Sequence, residues 1–160
     1  MSDIETVPAE PSTGPSEART GPEDPRPVRV LIYSDDAETR ADVSLALGRR
    51  PHPDLPSFEY VECATEPVVI QQMDSGTFDL AILDGEAVPV GGMGIARQLK
   101  EEIFRCPPLL VLTGRAQDAW LATWSRADGV VPHPIDAIQL AEAVIGLVRE
   151  RLASRAITRR

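Results

Sequence analysis

The sequence predicts an α/β fold in which helices cover both faces of one parallel sheet. Three observations predict it: apolar runs alternate with helical segments five times, aliphatic residues dominate the apolar positions, and aromatic residues make up only 4% of the chain. Such an alternation requires right-handed crossovers and a parallel sheet, whose buried strands are rich in aliphatic side chains. A chain of 160 residues has room for one such domain with tails.

Five short apolar runs carry the strand signal, each bounded by polar residues, glycine or proline. In chain order they are VRVLIY (28–33), FEYVEC (58–63), FDLAILD (78–84), LLVLTG (109–114) and GVV (129–131). The second run alternates apolar and acidic residues, which is typical of a half-exposed strand near a sheet edge.

A helical segment follows each strand. The predicted helices are DAETRADVSLALGRR (36–50), 65–75, MGIARQLKEEIF (93–104), AQDAWLATWSRA (116–127) and IDAIQLAEAVIGLVRERL (135–152). Pro67 is placed to open the second helix and Gly48 to end the first. The last helix has a well-formed amphipathic pattern.

The two ends of the chain are predicted to lie outside the folded unit. Residues 1–27 contain six prolines, several acids and little to bury, so we expect disorder there, and residues 153–160 form a basic tail. The folded domain is therefore predicted at 28–152. The first segment lacks the basic and apolar parts of a signal peptide, and no run approaches 18 apolar residues, so we expect a cytoplasmic protein without membrane insertion.

Charge and cysteine content exclude several classes of protein. The formal net charge is −9 and no basic helix or stripe is visible, so the chain is not expected to bind nucleic acid. Cys63 and Cys106 are isolated and belong to no CxxC pair, which predicts buried reduced thiols.

The ends of four strands carry the residues with chemical potential. Ligands of parallel α/β sheets bind beyond the carboxyl ends of the strands, so Asp35–Asp36, Asp84, Thr113 and His133 are predicted to converge on one pocket. Three neighbouring carboxylates repel one another unless a cation binds, and their hard oxygen atoms suit Mg²⁺. A carboxylate there could attack a phosphoryl donor, and a hydroxyl could donate to a phosphoryl oxygen.

In this pattern the chain resembles the receiver domains of bacterial two-component response regulators. The residues that carry the resemblance are VRVLIYSDD, FDLAILD, LLVLTG and ADGVVPHP, in the same order and with nearly the same spacing. The resemblance implies a flavodoxin-like, doubly wound five-stranded sheet of order 2-1-3-4-5. It also implies a histidine kinase or another phosphodonor as partner.

The resemblance also assigns roles to particular residues. Asp35 and Asp36 match the acidic pair that holds Mg²⁺, and the backbone carbonyl of Glu86 matches a further ligand. Asp84 matches the phosphorylated aspartate, itself a metal ligand, and Thr113 the hydroxyl residue that reorients on activation.

Three departures predict an atypical receiver with a weakened or absent phosphorylation switch. His133 stands where receivers have a lysine before a cis proline, and Lys100, the one lysine in the chain, lies along the third helix. Val130 stands where an aromatic residue is usual. In the loop after Asp84, Pro89 comes one residue later than usual, which could loosen the metal site.

Structural alternatives stay open at each of these positions. Asp35 or Asp36 could cap the first helix, Thr113 could simply end a strand, and His133 could be a rigid-turn residue between two prolines. Trp120 and Trp124 share one face of the fourth helix, and we expect one ring to be buried and the other to lie at the surface. The fourth helix, fifth strand and fifth helix form the surface that receivers usually offer to protein partners.

The predicted function is a single-domain, non-enzymatic response regulator that works by protein–protein docking. A subordinate version is a scaffold or adaptor that is independent of phosphorylation. Two less favoured hypotheses use the same fold: a small flavodoxin-like binding protein, and a Mg²⁺-dependent phosphatase for which Asp84-Gly85-Glu86 is a faint signal.

Overall fold

The computed structural model describes residues 26–158, and the predicted tail at 1–27 lies almost wholly outside the described residues. The strands are β1 (Val28–Tyr33), β2 (Phe58–Cys63), β3 (Leu80–Asp84), β4 (Leu109–Thr113) and β5 (Gly129–Pro132). The α-helices are α1 (Ala37–Leu47), α2 (Glu66–Asp74), α3 (Gly92–Glu102), α4 (Trp120–Ser125) and α5 (Ala137–Thr158), and a 3₁₀ turn (Ala116–Ala119) precedes α4.

The five strands form one parallel sheet in the order β2-β1-β3-β4-β5, which confirms the predicted fold class. β3 and β4 are buried along their whole length. Their LAILD and LLVLT sequences are almost continuously apolar because helices cover both faces of the central strands. Because all strands run in one direction, the residues that end them lie along one edge of the sheet.

Two apolar cores fill the two sides of the sheet. Alternate residues of each strand point to opposite faces, so Val30 and Ile32 enter the core beneath α1 and α5, whereas Leu31 and Tyr33 enter the core beneath α2 and α3. This two-sided burial fixes the register of the strands, because a one-residue slip would exchange the faces of every side chain.

The last helix differs from its predicted extent. It continues past Leu152 to Thr158, so much of the predicted basic tail is helical. Arg155 in this extension lies 2.5 Å from the buried carboxylate of Asp79, just before β3. The interaction explains why the helix persists, since a favourable ion pair holds its last turns against the sheet.

Both cysteines are free thiols; Cys63 is buried and Cys106 is half-buried. Burial raises the pKa of the Cys63 thiol to about 11. We therefore expect iodoacetamide to label Cys63 at pH 8.5 about a hundredfold more slowly in the folded protein than in denaturant, because the thiolate is the nucleophile and the free thiol has a pKa of about 8.5. Mass spectrometry of the alkylated peptides, with Cys63→Ser as the control, measures this ratio.

The same shift has a consequence for stability. Above about pH 8.5 the thiol ionises in the unfolded chain but stays neutral in the folded one, so its contribution should lower the free energy of unfolding as the pH rises towards 11. Equal rates of Cys63 labelling in the folded and unfolded protein would contradict the raised pKa of this thiol.

Candidate functional site

The carboxylate of Asp84 lies at the centre of the pocket at the carboxyl edge of the sheet. Asp84 ends β3 and is only 3% exposed. Its Oδ2 accepts a hydrogen bond from Ser34 Oγ at 2.7 Å, and its Oδ1 accepts one from the backbone N–H of Glu86 at 2.9 Å. A buried carboxylate requires such donors, because desolvation without them is costly.

His133 supplies the third contact to Asp84. Its Nε2 lies 3.1 Å from Asp84 Oδ1, which makes a hydrogen bond when Nε2 carries the proton and an ion pair when the ring is protonated. The backbone N–H of His133 donates to the carbonyl oxygen of Thr113 at 2.7 Å, and a cis peptide bond joins His133 to Pro134. The structure thus places His133 in the pocket that the sequence assigns to it.

Thr113 stands at the end of β4, one residue beyond Leu112, the register partner of Asp84. The residue is fully buried, and its Oγ1 has no hydrogen-bond partner among the described residues. A buried hydroxyl without a partner is uncommon in folded proteins and costs free energy. The hydroxyl of Thr113 is therefore available to form a hydrogen bond with a ligand, because no group in the described part of the chain binds it.

The two adjacent aspartates after β1 have different environments. Asp35 Oδ1 accepts a hydrogen bond from the backbone N–H of Val88 at 3.2 Å, so Asp35 faces the loop between β3 and α3. Asp36 is the N-cap of α1, and its Oδ1 accepts from the backbone N–H of Glu38 at 2.9 Å. The helix-capping alternative therefore describes Asp36, and Asp35 is the member of the pair that faces the pocket loop.

Ser34 is a site residue that the sequence analysis missed. It is fully buried and contacts Asp84 directly. The signal was present in the register of the sheet: Tyr33 pairs with Leu83, so the residue after Tyr33 must stand beside Asp84.

The loop that follows Asp84 is hydrogen-bonded to β1. Tyr33 Oη donates a hydrogen bond to the carbonyl oxygen of Val90 at 2.5 Å. Burial raises the pKa of this phenol, and the negative charges of Asp35, Glu66 and Asp84 raise it further, so Tyr33 stays a neutral donor. Tyr33 is a second residue of the site that sequence reasoning did not single out.

Glu86 contributes to the loop in two ways. Its backbone N–H binds Asp84, and its side chain lies directly over Gly114, where a Cβ atom would come within 2.0 Å of Glu86 Oε1. The Glu86 carboxylate therefore occupies the space that a side chain at position 114 would take.

The arrangement of these groups bears on the predicted magnesium site. Among residues 26–158, no three acidic, histidine or cysteine side chains are grouped so that they could hold a metal ion. Ser34 places a neutral hydroxyl beside Asp84, and the carboxylate of Asp36 caps a helix. As arranged, the side chains do not fit a three-carboxylate magnesium site, and magnesium binding by Asp35, Asp36, Asp84 and the carbonyl of Glu86 stays a prediction.

The two tryptophans of α4 lie on the surface of the domain. Trp120 is 68% exposed and Trp124 is 50% exposed, so the expectation that one ring is buried is wrong. The guanidinium of Arg97 lies 4.9 Å from the centre of the Trp124 ring. The two rings are four residues apart and share one face of α4, and that face is turned to solvent.

The fold and the pocket together define a receiver-type α/β domain, and solved structures agree. A CheY-like response regulator receiver domain protein from Methanospirillum hungatei matches 80% of this chain and 98% of its own with a TM-score of 0.64 at 19% identity. The signal receiver domain of an HD domain-containing protein from Pseudomonas fluorescens matches 82% of this chain and 93% of its own with a TM-score of 0.69 at 15% identity. At these identities the likeness establishes the fold.

Sequence comparison gives the family. No family model matches the chain. Uncharacterized response regulatory proteins from two strains of Mycobacterium tuberculosis are 62% identical to it over 122 residues, which cover 76% of this chain and 92% of the relative. The chain belongs to the response regulatory proteins. None of the helices in its described part has the length and apolar character needed to span a bilayer.

Proposed function

We propose that this protein is a non-enzymatic response regulator in which Asp84 accepts a phosphoryl group from a histidine kinase or another acyl-phosphate or phosphohistidine donor. The observation that carries the proposal is the buried hydroxyl of Thr113, which lacks a partner among the described residues and stands at the strand end next to Asp84. A phosphoryl oxygen would supply the missing acceptor.

The contacts of Asp84 leave one of its oxygens able to act as a nucleophile. A carboxylate offers about four lone-pair positions, and three donors bind Asp84 among the described residues. Oδ2 accepts only the Ser34 hydroxyl, so it retains a lone pair for attack on phosphorus. The new O–P bond forms as the bond from phosphorus to the leaving group breaks, and the leaving group departs with the electron pair.

The neighbours of Asp84 would then stabilise the acyl phosphate. Thr113 would donate its hydroxyl hydrogen to a phosphoryl oxygen, and a protonated His133 would offset part of the added negative charge. Ser34 donates a hydrogen bond to Asp84 without adding a further negative charge beside it. This arrangement lowers the repulsion that an incoming phosphoryl group meets.

The test is labelling with acetyl phosphate, followed by intact-mass spectrometry and by treatment with hydroxylamine, which cleaves acyl phosphates. We expect one phosphoryl group on the wild type and none on Asp84→Asn. Asp42→Asn is the matched control, because it is the same substitution at an exposed position of α1 that makes none of the contacts of Asp84. The control should label like the wild type.

Running the labelling with magnesium and with a chelator tests the predicted metal. Labelling that requires magnesium would support a cation at Asp35 and Asp84 despite the neutral Ser34. A wild type that is not labelled under either condition would contradict the phosphoacceptor proposal.

A second candidate is a docking module that works without phosphorylation. It is favoured by the three hydrogen bonds that hold the Asp84 carboxylate in one orientation in the unphosphorylated protein. In either case the output would be protein–protein docking on the surface formed by α4, β5 and α5. Exposed tryptophans are the side chains most enriched at binding hot spots, and both rings of α4 are available.

Retention of partner proteins on the immobilised domain tests this surface. Trp120→Ala combined with Trp124→Ala should abolish retention, whereas Leu45→Ala, which truncates an apolar side chain 83% exposed on α1, should leave it intact. Loss of retention in Asp84→Asn would favour the phosphorylated form as the binding state. Retention that survives the double tryptophan substitution would move the docking surface elsewhere.

A further inference from the structure

A cavity of about 210 Å³ opens at the amino-terminal edge of the sheet, on the side opposite to Asp84. It lies where the chain enters β3 and β4, between the turn after α2 and the loop after α3. Its lining consists of Met73, Gly76, Phe78, Ile103, Phe104, Arg105, Pro107 and Arg151. Most of these side chains are apolar, and the only charged ones are two arginines.

Arg151 is the more informative of the two arginines. It projects from α5, and its Nε atom is buried without a hydrogen-bond partner in the described part of the chain. The guanidinium makes none of the ion pairs found among those residues. A buried donor on a permanently charged group has a high free-energy cost unless an acceptor reaches it.

Arg105 is the second arginine that lines the cavity. Its backbone has a φ of 54°, a conformation that residues other than glycine rarely adopt. Its guanidinium lies 5.4 Å from the centre of the Phe104 ring, and Phe104 is itself 87% exposed. It likewise has no carboxylate partner among the described residues. Two unneutralised guanidinium groups therefore border a cavity that apolar side chains otherwise line.

We propose that this cavity is a binding site for a small organic anion that carries one apolar ring. The anionic group would accept hydrogen bonds from Arg151 and Arg105, since guanidinium groups bind planar or tetrahedral oxyanions through paired N–H donors. The ring would pack against Phe78, Phe104 and Pro107. The volume is below the roughly 300–1,000 Å³ of sites for drug-sized ligands, so it suits a single-ring compound.

The site is independent of the pocket around Asp84. The two lie at opposite ends of β3, because Phe78 precedes the strand and Asp84 ends it. The proposal therefore holds or fails separately from phosphorylation, and its probe should be unable to donate a phosphoryl group. Benzenesulfonate meets this need, because it combines one aromatic ring with an inert oxyanion.

The test is a titration of the full chain with benzenesulfonate, followed through the backbone amide signals in a ¹H–¹⁵N correlation spectrum. We expect saturable shifts at Gly76, Phe78 and Arg105. Arg151→Gln and Arg105→Gln should each weaken binding about tenfold or more, because each removes a charge-assisted hydrogen bond. Arg105 is exposed, so its substitution keeps the test valid even if Arg151→Gln impairs folding.

Two controls make the outcome decisive. Arg149→Gln removes an exposed arginine two residues before Arg151 on the same helix and should leave affinity unchanged. Benzyl alcohol, which has the ring without the charge, should bind far more weakly. Shifts that do not saturate, equal weakening by Arg149→Gln, or equal binding of benzyl alcohol would overturn the proposal.

Discussion

Replacing Asp79 with alanine should lower the free energy of unfolding by about 3 kcal/mol or more, the range found when one partner of a buried ion pair is removed. Asp79 is 1% exposed and stands immediately before β3. Its Oδ1 lies 2.5 Å from Arg155 and 3.7 Å from Arg26, and its Oδ2 accepts from the backbone N–H of Arg29 at 3.1 Å.

The size of this effect follows from what the substitution leaves behind. Arg155 would keep its charge in a mostly buried position, and the N–H of Arg29 would lose its acceptor in β1. The extension of α5 beyond Leu152 would also lose its anchor. Asp79→Asn should have a smaller effect, because its amide oxygen can still accept from Arg29.

Urea unfolding monitored by circular dichroism measures the difference. Asp54→Ala is the control, since that carboxylate is 80% exposed and its one ion-pair partner within residues 26–158 is His52, at 3.6 Å. Surface pairs of this kind contribute about 0–1 kcal/mol. A loss below about 1 kcal/mol in Asp79→Ala would show that water replaces the carboxylate without difficulty.

Replacing Gly92 with alanine is the second substitution with a large expected effect. A Cβ at Gly92 would lie 2.7 Å from the carbonyl carbon of Leu83 and 2.8 Å from the carbonyl oxygen of Asp84. Both atoms belong to the backbone of β3, so no side chain can rotate away. Helix α3 would have to move off the sheet, at a cost of about 1–3 kcal/mol or more.

Gly94 is a matched control in the same helix. A Cβ at Gly94 meets nothing within 4 Å, so Gly94→Ala should raise stability by about 0.5–1 kcal/mol through the higher helix propensity of alanine. The two substitutions are chemically identical and differ only in what surrounds them. Thermal unfolding of both variants checks the prediction, and equal midpoints would contradict the close helix–strand contact.

The displacement of α3 should also disturb the pocket around Asp84. Gly92 lies against the backbone of Leu83 and Asp84. Gly92→Ala should therefore reduce phosphoryl labelling in the proposed assay, whereas Gly94→Ala should not. This comparison separates a defect in positioning from a general loss of folding, provided that labelling is measured below the unfolding transition.

Much of the architecture could be predicted from the sequence because its signals are local. Apolar runs such as LAILD identify buried strands without knowledge of their neighbours, and their alternation with helices leaves few permissible topologies. The same reasoning placed Asp84, Thr113 and His133 at one edge of the sheet, because each follows directly from the end of a strand. In the structure these three strand ends lie together, and His133 contacts Asp84.

The sequence pattern alone did not separate a pocket residue from a capping residue. Asp35 and Asp36 are chemically equivalent neighbours, and the difference between them depends on where α1 begins and how β1 pairs with β3. Ser34 was overlooked for the same reason, since a serine carries no chemical signal until the register places it beside Asp84.

The sequence by itself determined the fold class, the order of the elements and the edge of the sheet at which the chemistry lies. Tertiary structure alone decided that Ser34 contacts Asp84, that Asp36 caps a helix, that both tryptophans are exposed, and that Arg155 extends α5 to reach Asp79. The physical reason is that hydrophobic period and turn chemistry act within a few residues. The Ser34–Asp84 and Arg155–Asp79 contacts join segments that are remote in sequence, and the role of Asp36 and the exposure of both tryptophans depend on where α1 begins and how α4 is oriented on the sheet.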